Sequence, residues 1–201
     1  MRRNPQDFLI KEINLSIHNL RSAADQLTAA ERDELICMYR DNSESGRIAR
    51  AAEAANNSIQ TRVEDIIRLA EAMGSKKLGI AHCVGLLGES RTLAKILRKR
   101  GFDVFGVCCK VAGTKKACVG ITEEQLAGFK PGPIMCNPIM QAKLLSSENT
   151  DLNIVMGLCA GSDALFVSNA AAMTTIMINK DRLTCNNPAV TLYSPERRKL
   201  L

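Results

Sequence analysis

Four short apolar runs, at residues 78–81, 104–107, 152–156 and 174–178, are each bounded by strand-breaking residues, and the chain between them carries helical spacing. Runs of this length without polar alternation suit strands buried on both faces of a parallel sheet. Residues 90–100, closed by Gly101, together with 138–147 and 162–169, are the helices expected between the strands. Strands alternating with helices predict an α/β fold: a layered core on a mostly parallel sheet with right-handed crossovers, Rossmann-like in the loose sense only. No nucleotide fingerprint accompanies it. "GLLGES" follows a strand and opens a helix but lacks both glycine spacings of phosphate-binding loops, and Glu89 within it would repel a phosphate.

Residues 1–74 read differently, as an N-terminal helical segment that packs on the core or on a partner. Ile10, Ile13, Ile17 and Leu20 share one helix face, and a second stripe runs from Ile48 through Ala51, Ala55, Ile59, Val63, Ile66 and Ile67 to Ala70. Thr28 with Glu31 has the form of a capping box opening a short helix through Leu35, Ile36 and Tyr39, and Gly74 is a natural stop. Cys37 within this region is expected to be a small buried apolar residue. The division predicted is therefore 1–74 helical and 75–201 an α/β core, with a homodimer seam through the N-terminal helices as one use of the first part.

Charge separates along the same line. Residues 1–74 hold 10 Lys/Arg against 12 Asp/Glu, whereas residues 75–201 hold 17 against 9. Aromatic content of 3% with no tryptophan leaves few stacking platforms, which argues against nucleic acid as the partner of this basic half. A small anionic ligand, or charge compensation for thiolates, fits it better. No apolar run approaches the roughly 20 residues of a bilayer span, and Met1-Arg2-Arg3 leads into Asn4-Pro5-Gln6-Asp7 rather than a hydrophobic signal core. The expectation is a cytoplasmic protein whose eight cysteines serve as metal ligands or reactive thiols rather than as a disulfide framework.

Several of those cysteines recur at corresponding places. Cys83 closes "LGIAHC", Cys108 and Cys109 close "VFGVCC", and Cys159 closes "NIVMGLC". The C-terminal ends of parallel strands share one rim, where ligands bind, with neighbouring strands only about 4.8 Å apart. Cys136 joins from "MCNPIMQAKLL", in which Asn137 is the expected N-cap and Pro138 the first helical residue; a thiol just before a helix start is favoured as thiolate. Neighbouring side chains on a strand point to opposite faces, so Cys108 and Cys109 need not share a role, and Cys109, at the loop, is the better candidate to face the site. Cys118 on its Gly/Lys-rich loop and Cys185 in "LTCNNP" are outer candidates.

The predicted cofactor site is thus Cys83, Cys109, Cys136 and Cys159, with Cys108 a further candidate metal ligand. The chain contains no C-x-x-C. Thiols delivered singly by separate elements depart from paired zinc knuckles and suit an iron–sulfur cluster, the 4Fe–4S type above others, for electron transfer, sulfur handling or substrate activation. Zinc in a structural or regulatory role is the alternative. A metal-free thiol enzyme or small-molecule binder, with Cys136 as nucleophile helped by Cys109 or His82, is a third reading. Without a Ser/His/Asp set, hydrolase chemistry has no support, and no catalytic residue is assigned. His18 and His82 are the two histidines, His18 expected at the surface or in packing and His82 in a structural role, and Asp163 is expected in a first helical turn capped by Ser162.

"IAHCVGLLGESRTLAKIL", "VCCKVAG", "MCNPIMQAKLL", "DLNIVMGLCAGSDALF" and "DRLTCNNPAVTLY", in this order, resemble a bacterial and archaeal family catalogued as domain of unknown function 1847 and often labelled metal-binding. The similarity covers roughly residues 43 to 194. It implies that Cys83, Cys108, Cys109, Cys136 and Cys159 match the family's motif cysteines and Glu89, Asn137, Pro138 and Asp163 their neighbours, and it implies zinc. This chain departs from the family in having no cysteine in residues 1–36, where members commonly carry a cysteine-rich segment. It also has Ser162 and Asn186 where histidines are expected.

Overall fold

The computed structural model describes residues 27–40, 43–56, 59–122 and 132–194. The stripe expected at Ile10–Leu20, and His18, lie outside them. The chain divides into two compact units, Met1–Glu53 and Ala54–Leu201.

In the first unit, helix α1 (Ala29–Cys37) opens on the predicted capping box: the Thr28 side chain accepts from the Glu31 backbone N–H, and the Glu31 carboxylate accepts from the Thr28 N–H at 2.7 Å. No residue of α1 is buried, so Cys37 is exposed and the expectation that it packs as an apolar residue is overturned. The helix stops at Cys37, short of Tyr39. Helix α2 (Glu44–Ala55) follows. The stripe running to Ala70 is interrupted, because Thr61 and Glu64 form a second capping box that opens α3 (Arg62–Ala72) as a separate helix. Ile59, counted in that stripe, is 91% exposed.

The second unit carries four parallel strands in the order β2-β1-β3-β4: β1 (Lys77–His82), β2 (Asp103–Cys108), β3 (Leu152–Met156) and β4 (Met173–Ile178). All four lie within a residue of their predicted bounds. Helix α4 (Leu87–Lys99) joins β1 to β2, α5 (Pro138–Ser147) precedes β3, α6 (Ala160–Asn169) joins β3 to β4, and α7 (Ala189–Tyr193) follows. One face of the sheet packs Leu78, Ile80, Val104 and Ile154 against Ile66, Ile67 and Ala70 of α3 and Leu93 and Leu97 of α4. The other packs Ala81, Val107 and Val155 against Ala142 and Leu145 of α5 and Phe166 of α6. The strand order places a switch point between β1 and β3, where successive connections leave in opposite directions, and in open α/β sheets ligands settle outside the strand ends at such a point.

Local chemistry sets the helix starts that matter. The Asn137 side chain caps α5 by accepting from the Met140 N–H at 3.0 Å, with Pro138 in the first turn, as expected. α6 begins two residues earlier than expected and its N-cap is Cys159, not Ser162; the backbone is extended at Cys159, and the Ser162 and Asp163 N–H groups both bond to the Cys159 carbonyl. Asp163 is in the first turn, as predicted.

At Gly79 the central strand passes so close to α5 that an added Cβ would lie 2.3 Å from Asn153 Oδ1 and 2.9 Å from Leu145 Cδ1. Asn153 is fully buried and its Oδ1 accepts from the Thr150 hydroxyl, so it cannot swing away without stranding a polar pair. Gly79→Ala is expected to lower stability by about 1–3 kcal/mol, the usual cost of overpacking a tight core, read as a reduced urea midpoint at unchanged slope; an unchanged midpoint would mean the interface is looser than described.

Candidate functional site

The register between β1 and β2 places the thiols. His82 lies opposite Cys108, and the Cys109 N–H continues the ladder by donating to the His82 carbonyl at 2.8 Å. Cys83 and Cys109 are therefore the next pair beyond the last strand residues, at the C-terminal rim. Buried Gln141 of α5 ties the two strand ends together beneath them, its Nε2 donating to the Val107 carbonyl at 2.7 Å and to the His82 carbonyl at 3.3 Å. His82 is buried, with Nδ1 3.0 Å from the Cys83 carbonyl, a packing role as expected.

Cys83 follows β1 and caps the short 3₁₀ turn Val84–Leu86. Its Sγ accepts the Gly85 N–H at 3.4 Å, while Cys109 Sγ accepts the preceding Val84 N–H, also at 3.4 Å. The two sulfurs share a hydrogen bond, and this is the main reason the Cys83 thiol is lowered to about 5; the Gly85 N–H and the Lys180 ammonium add to it against the opposing effect of burial. Cys109 is pushed up, first by holding the shared proton for Cys83 and then by burial, with Cys136 adding to the effect. Cys136, directly before the α5 cap, is brought to Cys109 by the Asn137 N–H, which donates to the Cys109 carbonyl at 2.8 Å. The thiols that follow β1 and β2 and precede α5 thus pack in one cluster around Cys109, which is 1% exposed.

Charge for this group comes from the segment after β4. Lys180 reaches Cys83, and its Nζ would lie 3.9 Å from a Cβ at Gly85 and 3.7 Å from one at Gly157. Gly157 has φ +62° and its added Cβ would fall 2.2 Å from Leu86 Cδ1, so a side chain there would close the space between the ends of β1 and β3. Two residues beyond Lys180, Arg182 Nη2 donates to Cys159 Sγ at 3.3 Å. The segment is shaped by Asp181, whose Oδ1 accepts from the N–H groups of Leu183 and Thr184, and by left-handed Cys185 and Asn186. Sequence reading assigned no role to Lys180 or Arg182, whose traces were the excess of positive charge in the second half and, for Arg182, the motif "DRLTCNNPAVTLY".

Of the remaining cysteines, Cys108 ends β2 half-buried against the α5/α6 face. Cys118 and Cys185 are exposed. Among the described residues no group of three or more His, Cys, Asp or Glu side chains surrounds a common point at metal-holding distances. A cleft of about 550 Å³ lies on the opposite face of the sheet, lined by Val63, Glu89, Thr92, Ile96 and Met177, and no cysteine borders it. No helix among the described residues is long and apolar enough to cross a membrane.

Fold and site together define an α/β protein with a thiol cluster at the C-terminal rim of a parallel sheet, next to its switch point. Residues 23–177 match the model of DUF1847, a family of proteins of unknown function, and the chain belongs to this family. It is similar to the uncharacterized protein MJ0455 of Methanocaldococcus jannaschii, 42% identical over 154 residues that make up 77% of this chain and 78% of that protein. No solved structure matches significantly. The family match takes in Cys83, Cys109, Cys136 and Cys159 and ends before Lys180 and Arg182.

Only the thiolate is alkylated, so in metal-free protein Cys83 should react with iodoacetamide at a rate that rises as pH climbs through about 5 and is level by pH 7. Cys109→Ala removes the main cause of the shift and should move the rise upward, slowing the reaction at pH 6 by at least about tenfold. Peptide mapping of the alkylated site across pH reads both; a rise near pH 8–9 in the parent chain, the ordinary thiol range, would refute the shared proton.

Proposed function

We propose that this chain is a metal-binding protein whose centre is held by Cys83, Cys109 and Cys136 at the rim of the sheet. The observation that carries it is the backbone on either side of Cys109, its N–H bonded to the His82 carbonyl beside Cys83 and its carbonyl to the Asn137 N–H beside Cys136, which packs the three cysteines in one cluster. An all-sulfur donor set suits zinc, copper(I) or iron–sulfur chemistry and discriminates against hard cations. Backbone N–H groups already aimed at Cys83 and Cys109 are the outer hydrogen bonds that orient thiolates and moderate their charge. Lys180 supplies further compensation at Cys83.

Between the two metals expected from the sequence, we favour the single ion. With Zn–S bonds of about 2.3 Å in a tetrahedron, ligand sulfurs are roughly 3.8 Å apart, a spacing within reach of side chains from strand ends about 4.8 Å apart. A cubane holds its cysteines wider apart and would draw on a more distant sulfur, with Cys159 and Cys108 in reserve. Because these thiols do not surround one point, binding calls for the side chains to turn and for the thiols to lose their protons.

Metal and sulfide analysis with an absorption spectrum, on protein purified without oxygen, tests this. About one zinc per chain without visible absorption is expected, and iron with sulfide would select the cluster. Cys109→Ala should weaken metal affinity by more than about 100-fold, beyond the 10–100-fold typical of outer partners. Full metal content in Cys109→Ala would overturn the assignment.

A further inference from the structure

The register that sets Cys83 beside Cys109 also sets two sulfurs at a separation that a covalent bond can close. Neighbouring parallel strands are about 4.8 Å apart, inside the Cα span of roughly 4.4–6.8 Å that disulfides tolerate. The sulfurs lie against consecutive N–H groups, Cys109 Sγ accepting from Val84 and Cys83 Sγ from Gly85, each at 3.4 Å, which brings both to the same turn. Their exposure differs: Cys83 is half-buried and Cys109 almost wholly buried. An oxidant arriving from solvent therefore meets Cys83 first, and the second thiol is already in place behind it. The Lys180 ammonium adjoins Cys83, where it can stabilise an oxygen leaving with negative charge.

We propose that Cys83 and Cys109 form an oxidation site for hydroperoxides, with Cys83 the sulfur attacked first and Cys109 the thiol that resolves it into a disulfide. The Cys83 sulfur attacks one oxygen of the O–O bond; an S–O bond forms, the O–O bond breaks, and the departing oxygen takes up a proton as alcohol or water. Cys109 sulfur then displaces the hydroxyl from the Cys83 sulfenic acid, and its own proton leaves with that hydroxide as water. Two thiols give up two electrons and two protons to one hydroperoxide, yielding one disulfide, one alcohol or water, and one water. The site uses the thiols of the metal reading but does not rest on it. Where metal is bound, closing the bond removes two of its sulfurs and releases it.

The test is to treat the reduced full chain with one equivalent of hydrogen peroxide or cumene hydroperoxide, with its metal content measured beforehand and afterwards, and to map the products by intact mass and peptide analysis. The expected product has lost two hydrogens per chain, links the Cys83 and Cys109 peptides, and reverts with dithiothreitol. It should form at least about tenfold faster than any oxidation of exposed Cys118 or Cys185. Cys118→Ser should keep this product, and Cys109→Ser should let dimedone trap a sulfenic acid at Cys83. A Cys109–Cys136 linkage, sulfinic acid at Cys83 with Cys109 still alkylatable, or no faster reaction than at the exposed cysteines overturns the proposal. The parent chain decides if Cys109→Ser does not fold. Metal content is read separately, so a chain without metal that still closes the bond defeats only the metal reading.

Discussion

The pairing of His82 with Cys108 across β1 and β2 is the constraint from which the rest of the rim follows. A one-residue slip in a parallel pair turns every side chain of the moved strand to the other face. Here it would drive Val104 and Val107 out of their respective cores and separate Cys109 from Cys83. The apolar layers on both faces therefore hold the register, and the register holds the sulfurs. Gln141 reinforces the arrangement at the one place where the ladder runs out, by giving both strand-end carbonyls a donor from the helix above. Burial stabilises the fold, and the site inherits its geometry from that burial.

Much of this was legible in the chain because the signals are local. Buried parallel strands show as short apolar runs, and the Asn137-Pro138 start of α5 is written in two residues whose preferences are strong. That Cys83 and Cys109 would share a rim follows from strand-end placement alone. Whether Cys159 belongs with them does not, because its position depends on the bend after β3 at left-handed Gly157 and on an arginine 23 residues away.

What was illegible has physical causes. The stripe from Ile48 to Ala70 keeps its period across a break, since periodicity records which residues are apolar and not whether the backbone is continuous; the Thr61–Glu64 box was the signal that could have shown it. Cys37 was read by residue type, but burial depends on what packs beside it, and α1 has no buried residue. Cys159 displaced Ser162 as the N-cap because the strand delivers the chain to the helix already extended there, overriding side-chain preference. The lowered thiol is Cys83, whose partner comes from a neighbouring strand and not from its own helix start, a long-range fact that no spacing encodes.

Cys83 and Cys159 occupy helix-start positions where an oxygen-bearing residue is the ordinary choice, and Cys136 stands one residue before such a position. At Cys159 the thiol makes no capping bond at all and turns to Arg182 instead. The scaffold would accept serine at these places with little loss, or with a gain. Sulfur-to-oxygen exchange therefore separates two properties usually entangled in a buried centre: architecture tolerates it, while whatever the rim does with soft, polarisable atoms would vanish.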